Sequence, residues 1–292
     1  MGRVTVKHMA DYQPVSIRSA ARCCFTERAR SRAALLGERT VPTYSLEPSG
    51  LEEELSLAKM ADTVVVVSEA DRRVMQEGGV PRVHIVSHSI STTPTQSSFQ
   101  KRDAFLFVGS VHGSDNPNAD SIREFCNTQW ARVHSATGAD FIVAGYGTEL
   151  LRSEIADPTV RILGRQDDLN PLYDRARVFV VPTRYAAGMP FKAHEAAGFG
   201  VPMVVSPVIA RQMQWDDGAD YFAASGPEQM AEYCSRLYRD ERLWEIFRAN
   251  SLARVATELS PAAFAGVLSS ILKELTTAPP EQGRTAPSVH AT

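Results

Sequence analysis

The stretch Gly188–Val205 reads GMPFKAHEAAGFGVPMVV and joins a loop, a helix and a strand. Gly188 permits an unusual backbone conformation, and Pro190 sets the chain for the start of a helix, which we predict over residues 191–199. The apolar run Pro202–Val205 follows at once. A helix that leads directly into a short apolar run is typical of a sheet covered on both faces.

Four similar runs precede this one, each bounded by glycine, proline or polar residues: Ala104–Val108, Asp140–Ala144, Val160–Leu163 and Val178–Val181. They do not alternate between apolar and polar residues, which indicates strands that are buried on both faces. Helices are predicted between the runs, at 118–133, 147–155 and 167–176. This succession predicts an α/β fold with a doubly wound parallel sheet. After residue 225 the pattern is helical only, with helices predicted at 227–239, 241–258 and 261–275.

The N-terminal third has fewer elements. Its predicted strands are Thr63–Val67 and Val83–Val86, separated by a helix at about 69–78 and preceded by a helix at 51–60. Before residue 50 only one helix, at about 16–36, is predicted. We divide the chain into three regions: a partial N-terminal domain at 1–95, a C-terminal domain at 96–275 and a disordered tail at 276–292, which is rich in proline, threonine, alanine and serine.

Composition limits the function classes. The 292 residues carry a net charge of −3, with 43% hydrophobic and 22% charged residues, which indicates an ordinary globular protein without the overall charge of a nucleic-acid binder. The four cysteines have no metal-ligand spacing. No run approaches the length of a membrane span, and the N-terminus lacks a signal-peptide pattern, so the sequence predicts a cytoplasmic protein. Residues 1–45 carry an excess of basic side chains, and the part around Arg18–Arg32 suggests either peripheral membrane contact or an ordinary solvated helix.

Three blocks of sequence follow one another in a recognisable order. The first is ADTVVVVSE at Ala61–Glu69, continued by HIVSHSI at His84–Ile90. The second is FLFVGS at Phe105–Ser110, followed by NPN at Asn116–Asn118. The third is Gly188–Val205. Together these blocks resemble the family 4 glycosyltransferases over about residues 50–275. The resemblance implies a GT-B type fold, with a Rossmann-like C-terminal domain that binds a nucleotide-sugar donor and an incomplete Rossmann-like N-terminal domain on the acceptor side.

The first candidate donor-binding residues are Gly109 and Ser110, which follow the first strand of the C-terminal domain. Small residues at the carboxyl end of such a strand let backbone N–H groups approach a phosphate. The alternative is that Gly109 merely permits a tight turn.

The helix that begins near Phe191 supplies the next candidates. Its N-terminal N–H groups would face a diphosphate beside Gly188, and Lys192 would add a positive charge in the first turn. Glu195 lies one turn later on the same face, where a carboxylate accepts hydrogen bonds from ribose hydroxyls. The alternative for Lys192 and Glu195 is a solvated helix face with an ion pair.

The loop after the third strand of this domain supplies Gly164 and Arg165, which by the resemblance border the nucleotide base. Asp167 and Asp168 are expected to cap the next helix instead. His112 and His194 are expected to face solvent. No catalytic residue is assigned.

Two departures from the family stand out. Ala187 occupies the position of the first of two glutamates that many members carry, and the N-terminal domain is short. The favoured function is a glycosyltransferase, of retaining type, which transfers a sugar from a nucleotide-sugar donor to an unknown glycan, lipid or small-molecule acceptor. The alternatives are a non-catalytic, truncated relative that binds nucleotides or partners another glycosyltransferase, and a GT-B epimerase. Since the sequence has no Asp-x-Asp motif, we expect no metal and no other cofactor.

Overall fold

The structure is a computed structural model that describes residues 48–61, 63–113, 116–186 and 189–277. The basic segment 1–45, the helix predicted at 16–36 and most of the tail predicted at 276–292 lie outside these ranges.

A six-stranded parallel sheet forms the centre of the C-terminal region. Its strands are β3 Ala104–Val108, β4 Asp140–Ala144, β5 Val160–Gly164, β6 Ala176–Val181, β7 Met203–Val205 and β8 Phe222–Ala223. Their order across the sheet is β5-β4-β3-β6-β7-β8, and all neighbours run parallel. The predicted doubly wound sheet is therefore confirmed. Only β8 was not predicted, because two residues are too short to give a sequence pattern.

Burial on both faces explains why the strand sequences are continuously apolar. In β3 all five residues are buried, and they divide between two cores on opposite faces of the sheet. Phe105 and Phe107 pack into one core, whereas Ala104, Leu106 and Val108 pack into the other. Successive side chains of a strand point to opposite faces, so each face receives its own layer of helices.

Helices cover both faces of this sheet. They are α3 Pro117–Phe125, α4 Ala131–Thr137, α5 Asn170–Arg175, α6 Phe191–Gly198, α7 Pro207–Met213, α8 Pro227–Arg239, α9 Glu241–Arg254 and α10 Pro261–Thr277. A π-helical turn, Cys126–Trp130, joins α3 to α4 in the region predicted as one helix. The helix predicted at 147–155 is a 3₁₀ turn, Thr148–Ser153. Helix α7 was not predicted.

The N-terminal part contains four described elements: α1 Pro48–Lys59, β1 Val64–Val66, α2 Glu69–Glu77 and β2 Val83–Ile85. Strands β1 and β2 pair in parallel, with Val64 opposite Val83. The last helix, α10, returns to this part of the chain, since Ile271 packs with Val65 and Val86 in a small buried cluster. The C-terminal helix thus holds the N-terminal elements against the rest of the molecule.

The stretch Glu241–Thr276 is long and apolar enough to cross a membrane, with a mean hydropathy of 1.4 over its most apolar window, although the sequence predicted no such helix. The stretch meets this criterion by its length and composition only. The stretch comprises two helices, α9 and α10, between which Ser260 has extended backbone angles.

The segment Ser91–Lys101, which joins the two parts, is bound to the C-terminal end of α6. The N–H groups of Thr93 and Thr95 donate to the carbonyl oxygens of Gly198 and Phe199, at 2.9 and 3.1 Å. Arg248 donates to the hydroxyl of Thr95 at 3.3 Å. These bonds fix α6, and thereby the residues of its first turn.

Candidate functional site

The topology creates a crevice at one place along the sheet. From β3 the chain proceeds to β4 and β5 on one side and then crosses back to β6 on the other side of β3. In open α/β sheets, ligands bind at such a reversal of strand order, beyond the carboxyl ends of the strands. The loop after β3 begins with Gly109 and Ser110, and the loop after β6 leads to α6 with Lys192 and Glu195. The fold therefore brings these four predicted residues to one edge of the sheet.

Two backbone segments meet at this edge in direct contact. Gly145, which follows β4, has a φ of +128°, and a Cβ there would overlap the carbonyl of Gly109. The N–H of Gly109 donates to the carbonyl of Ala144 at 3.0 Å. A Cβ on Gly109 would itself lie 2.9 Å from Nδ2 of Asn118. Close packing therefore explains why position 109 is a glycine. Contact between Gly109 and a phosphate stays a prediction.

Lys192 connects the first turn of α6 to the loop after β3. Its Nζ donates to Oδ1 of Asn118 and lies 4.8 Å from the ring centre of Phe107. Nδ2 of the same asparagine donates to the carbonyl of Ser110 at 2.8 Å. Asn118 is thus part of the site, although sequence reasoning did not select it. The signal available was its place in the Pro-Asn block that contributed to the resemblance.

An ion pair holds the loop after β6 against α3. Arg184 donates from Nε to Oδ2 of Asp120 at 2.9 Å, and a second nitrogen of the same guanidinium bonds the other carboxylate oxygen. A bidentate arrangement of this kind fixes both direction and distance. It ties the loop after β6 to the start of α3.

Glu195 has a buried partner. Its Oε2 accepts a hydrogen bond of 2.8 Å from the hydroxyl of Tyr173, which is completely buried and stacks on Phe199 with ring centres 4.1 Å apart. Burial, together with the nearby carboxylate, raises the pKa of Tyr173, so that its hydroxyl remains a donor. The side chain of Lys192 bonds Asn118 and that of Glu195 bonds Tyr173, and the alternative of a Lys192–Glu195 ion pair stays a prediction.

The other predicted residues differ in how far the structure describes them. Gly164 ends β5 with a φ of +78°, and its carbonyl accepts from the N–H of Gly145 at 2.9 Å. The Arg165 side chain is 75% exposed and lies 4.0 Å from Asp167. Gly188 lies outside the described residues. Asp168 accepts from the N–H of Asn170 at 2.9 Å and so satisfies the start of α5.

The two histidines behave differently. His112 is exposed, as expected. The expectation for His194 is wrong, since only 2% of its surface is accessible. The reason is that α6 packs between the sheet and the N-terminal part, where Nδ1 of His194 lies 3.0 Å from Nε2 of His88. Burial, with a smaller contribution from His88, lowers the pKa of His194 to about 3, so this imidazole is neutral at pH 7.

Comparison with known proteins agrees with the fold. Residues 102–240 match the family model described as glycosyl transferases group 1. This segment is therefore similar to the group 1 glycosyltransferases. A search of curated protein sequences found no match.

Solved structures give the fold over a larger part of the chain. TarM matches 81% of this chain with a TM-score of 0.66 and 14% identity, and the chain spans 48% of the length of TarM. Sucrose-phosphate synthase from Thermosynechococcus elongatus has a TM-score of 0.64 and 16% identity. The match covers 87% of this chain and 67% of the synthase chain. Anabaena Alr3699/HepE, solved with UDP and glucose, has a TM-score of 0.59 and 12% identity. The match covers 79% of this chain and 67% of the HepE chain. The fold is thus the GT-B fold of these glycosyltransferases.

Proposed function

We propose that this protein is a glycosyltransferase that takes a sugar from a nucleotide-sugar donor, and that the donor diphosphate occupies the crevice between the loop after β3 and the first turn of α6. The observation that carries the proposal is the convergence of Lys192 with the Gly109–Ser110 loop, through Asn118, at the reversal of strand order. The structure of HepE with UDP and glucose is consistent with a uridine nucleotide as donor.

Each group in the crevice has a chemical task in this proposal. Lys192 supplies positive charge to the diphosphate, whose negative charge grows as the sugar departs, and the N-terminal N–H groups of α6 act in the same direction. Glu195 accepts from the ribose hydroxyls, held in position by Tyr173. Catalysis of this kind depends on positioning and on stabilising the leaving group, and it requires no protein nucleophile. We propose retention of anomeric configuration because the sequence resembles the family 4 glycosyltransferases, which retain it.

The diphosphate is proposed to bind without a metal ion. The cationic ammonium of Lys192 and the helix N-terminus provide the compensating charge. Among the residues that the structure describes, no group of three histidine, cysteine or acidic side chains has a geometry suited to a metal.

Calorimetry with UDP, GDP and ADP, each in the presence of excess EDTA, tests the donor site. We expect one of the three to bind, with an affinity that magnesium or manganese does not increase. A strict metal requirement would refute the metal-free proposal, and the failure of all three nucleotides to bind would refute the donor site.

A second assay separates transfer from binding alone. The preferred nucleotide is supplied as its glucose and N-acetylglucosamine derivatives, and release of nucleoside diphosphate is followed with and without saccharide acceptors. Acceptor-dependent release supports the transferase. Tight nucleotide binding without any turnover would favour the alternative of a non-catalytic relative that binds nucleotides or acts beside another glycosyltransferase.

A further inference from the structure

One short segment, residues 88–95, contacts helix α6 at both of its ends. At the last turn, the N–H groups of Thr93 and Thr95 donate to carbonyl oxygens of the helix end. A Cβ on Gly198, the last residue of α6, would lie 2.9 Å from Cγ2 of Ile90, so the segment passes directly against the helix. The segment comes from the N-terminal part, and it begins at the first turn of α6.

The first turn of α6 depends on contacts from outside the helix. The helix is only eight residues long, Phe191–Gly198, and Pro190 before it makes no side-chain hydrogen bond that would cap the helix. Short helices are marginal on their own, and their stability comes mainly from tertiary packing. The groups that pack against this turn therefore determine where its side chains lie.

His88 makes two kinds of contact with this turn. Its Nε2 lies 3.0 Å from Nδ1 of His194, in a bond to which one ring donates and the other accepts. Its ring centre also lies 5.0 Å from that of Phe191, the first residue of the helix. Burial lowers the pKa of both His88 and His194, so the bond joins two neutral rings at pH 7. A directional bond and a ring contact together fix the turn in height and in rotation.

The two residues that His88 touches are the chain neighbours of two donor-site residues. Phe191 directly precedes Lys192, and His194 directly precedes Glu195. A shift of the first turn would therefore move the ammonium and the carboxylate together. Displacement of a positioned group by about 1 Å is enough to cost an enzyme as much as roughly 100-fold.

We infer that His88 is a positioning residue of the donor site, which holds the first turn of α6 so that Lys192 faces the diphosphate. This inference rests on the proposed function, because it takes the donor site as given. It assigns the N-terminal part a role in nucleotide binding that is exerted through α6.

Calorimetry on the full chain, with whichever of UDP, GDP and ADP binds best, tests the inference in three variants. His88→Ala removes both contacts, His88→Phe keeps the ring, and His88→Gln keeps a hydrogen-bonding atom near Nε2. We expect the first to weaken nucleotide binding by about tenfold and the other two by about threefold each. Wild-type affinity in all three variants would overturn the inference.

His134→Ala is the matched control. His134 is also a bonded histidine, with Nδ1 2.8 Å from the carbonyl oxygen of Ala139, but that bond lies at the start of β4, at the opposite edge of the sheet from the crevice. The control should bind the nucleotide as tightly as the wild type. Equal losses in His134→Ala and His88→Ala would show only a general effect of destabilisation and would contradict the assignment.

A double-mutant cycle with Lys192→Ala separates positioning from a general effect on the fold. If His88 acts through Lys192, the two substitutions are not independent. In the Lys192→Ala background, His88→Ala should then weaken binding by only about twofold instead of tenfold. Losses that simply multiply would overturn the positioning role. Thermal denaturation checks that each variant is folded, and if His88→Ala is not, His88→Phe and His88→Gln replace it in both measurements.

The same measurements distinguish failure of this inference from failure of the proposed function. A loss of affinity in Lys192→Ala without any loss in the His88 variants would refute the role of His88 and leave the donor site standing. Wild-type affinity in Lys192→Ala would refute the donor site and, with it, the positioning role of His88.

Discussion

The polar groups on the two sides of helix α6 differ in whether they have hydrogen-bond partners. On the side of the proposed donor site, Glu195 bonds Tyr173 and Lys192 bonds Asn118. On the other side, Nε2 of His194 and the nearby hydroxyl of Ser87 are buried and have no partner within the described part of the chain. Helix α6 therefore carries bonded charged groups on one side and, on the other, a neutral imidazole with an unsatisfied Nε2 next to the unsatisfied hydroxyl of Ser87.

This difference indicates that the two sides of α6 contribute differently to ligand binding and to stability. A diphosphate is attracted over some distance by charge, so the protein can hold Lys192 in place with its own asparagine before the ligand arrives. The unsatisfied atoms of His194 and Ser87 are instead a cost to the stability of the folded protein, because a buried polar group without a partner loses its bonds to water. The predictions below test each side in turn.

The largest effect is expected for Lys192→Ala on nucleotide affinity. Losing a charged hydrogen-bond donor to a diphosphate should weaken binding of the preferred nucleoside diphosphate by about 3 kcal/mol, or roughly 100-fold. Calorimetry measures the change. Lys101→Ala, which removes an exposed lysine from a 3₁₀ turn remote from the crevice, is the matched control. Equal affinities for the Lys192 variant and the control would place the diphosphate elsewhere.

A somewhat smaller effect is expected for Glu195→Ala. Nucleotide affinity should fall by about 2 kcal/mol, because charge-assisted bonds to the ribose are lost. Stability should fall as well, by about 1 to 3 kcal/mol, because the buried hydroxyl of Tyr173 loses its acceptor. Glu195→Gln keeps an acceptor for Tyr173 and should restore most of the stability.

A nucleotide without ribose hydroxyls separates the two roles of Glu195. The wild-type protein should bind 2′,3′-dideoxy-UDP less tightly than UDP, whereas Glu195→Ala should bind the two alike. Glu232→Ala, an exposed glutamate on α8, should behave as wild type. If the variant still discriminated between the two nucleotides as strongly as the wild type, Glu195 would have only a structural role.

Sequence reasoning predicted the C-terminal fold well because its strands are buried on both faces. A continuously apolar run of five residues such as Ala104–Val108, bounded by polar residues and glycine, is too short for a buried helix, and the observed strand has the same bounds. The reasoning missed β8, which is two residues long, and α7, which Pro207 starts after a serine that caps it. Short elements fixed mainly by their neighbours give too few residues for a periodic pattern.

The sequence predicted the part of the site that lies within one local motif. Lys192 and Glu195 lie in a motif whose helix begins where expected, at Phe191. Asn118 and Tyr173 could not be selected, because their roles come from contacts over 74 and 22 residues of sequence. The burial of His194 was likewise hidden, since its partner His88 is 106 residues away, in the N-terminal part.

The burial of His194 should make the stability of the folded protein depend on pH. The pKa of His194 is lowered to about 3 in the folded protein, mainly by burial and further by His88, whereas the unfolded chain has the ordinary value near 6.5. Below about pH 6.5 the unfolded state therefore binds a proton that the folded state does not, and stability falls as pH falls towards 3. The slope should be about 1.4 kcal/mol per pH unit for this residue.

Denaturant unfolding between pH 7.5 and about pH 4.5 measures this slope. His194→Asn should flatten it, since no titrating group then replaces the imidazole against His88 and Trp215. The pKa of His88 is lowered in the same direction by burial, so part of the slope should remain. His134→Asn should leave the slope as in the wild type. An unchanged slope in His194→Asn would mean that His194 is accessible to protons in the folded protein.

The smallest effect is expected for Ser87→Ala on stability, and its sign is the informative part. Removing a buried hydroxyl usually destabilises a protein, because it breaks a hydrogen bond. The hydroxyl of Ser87 has no such bond among the described residues, so the folded state already bears the cost of its burial. We expect the variant to be as stable as the wild type or more stable, by up to about 1 kcal/mol, in denaturant unfolding.

Ser121→Ala is the matched control, because that hydroxyl is buried and bonded to the carbonyl of Pro117. It should lose stability. Equal losses in both variants would show that Ser87 has a partner in the free protein, and the contrast between the two sides of α6 would then rest on His194 alone.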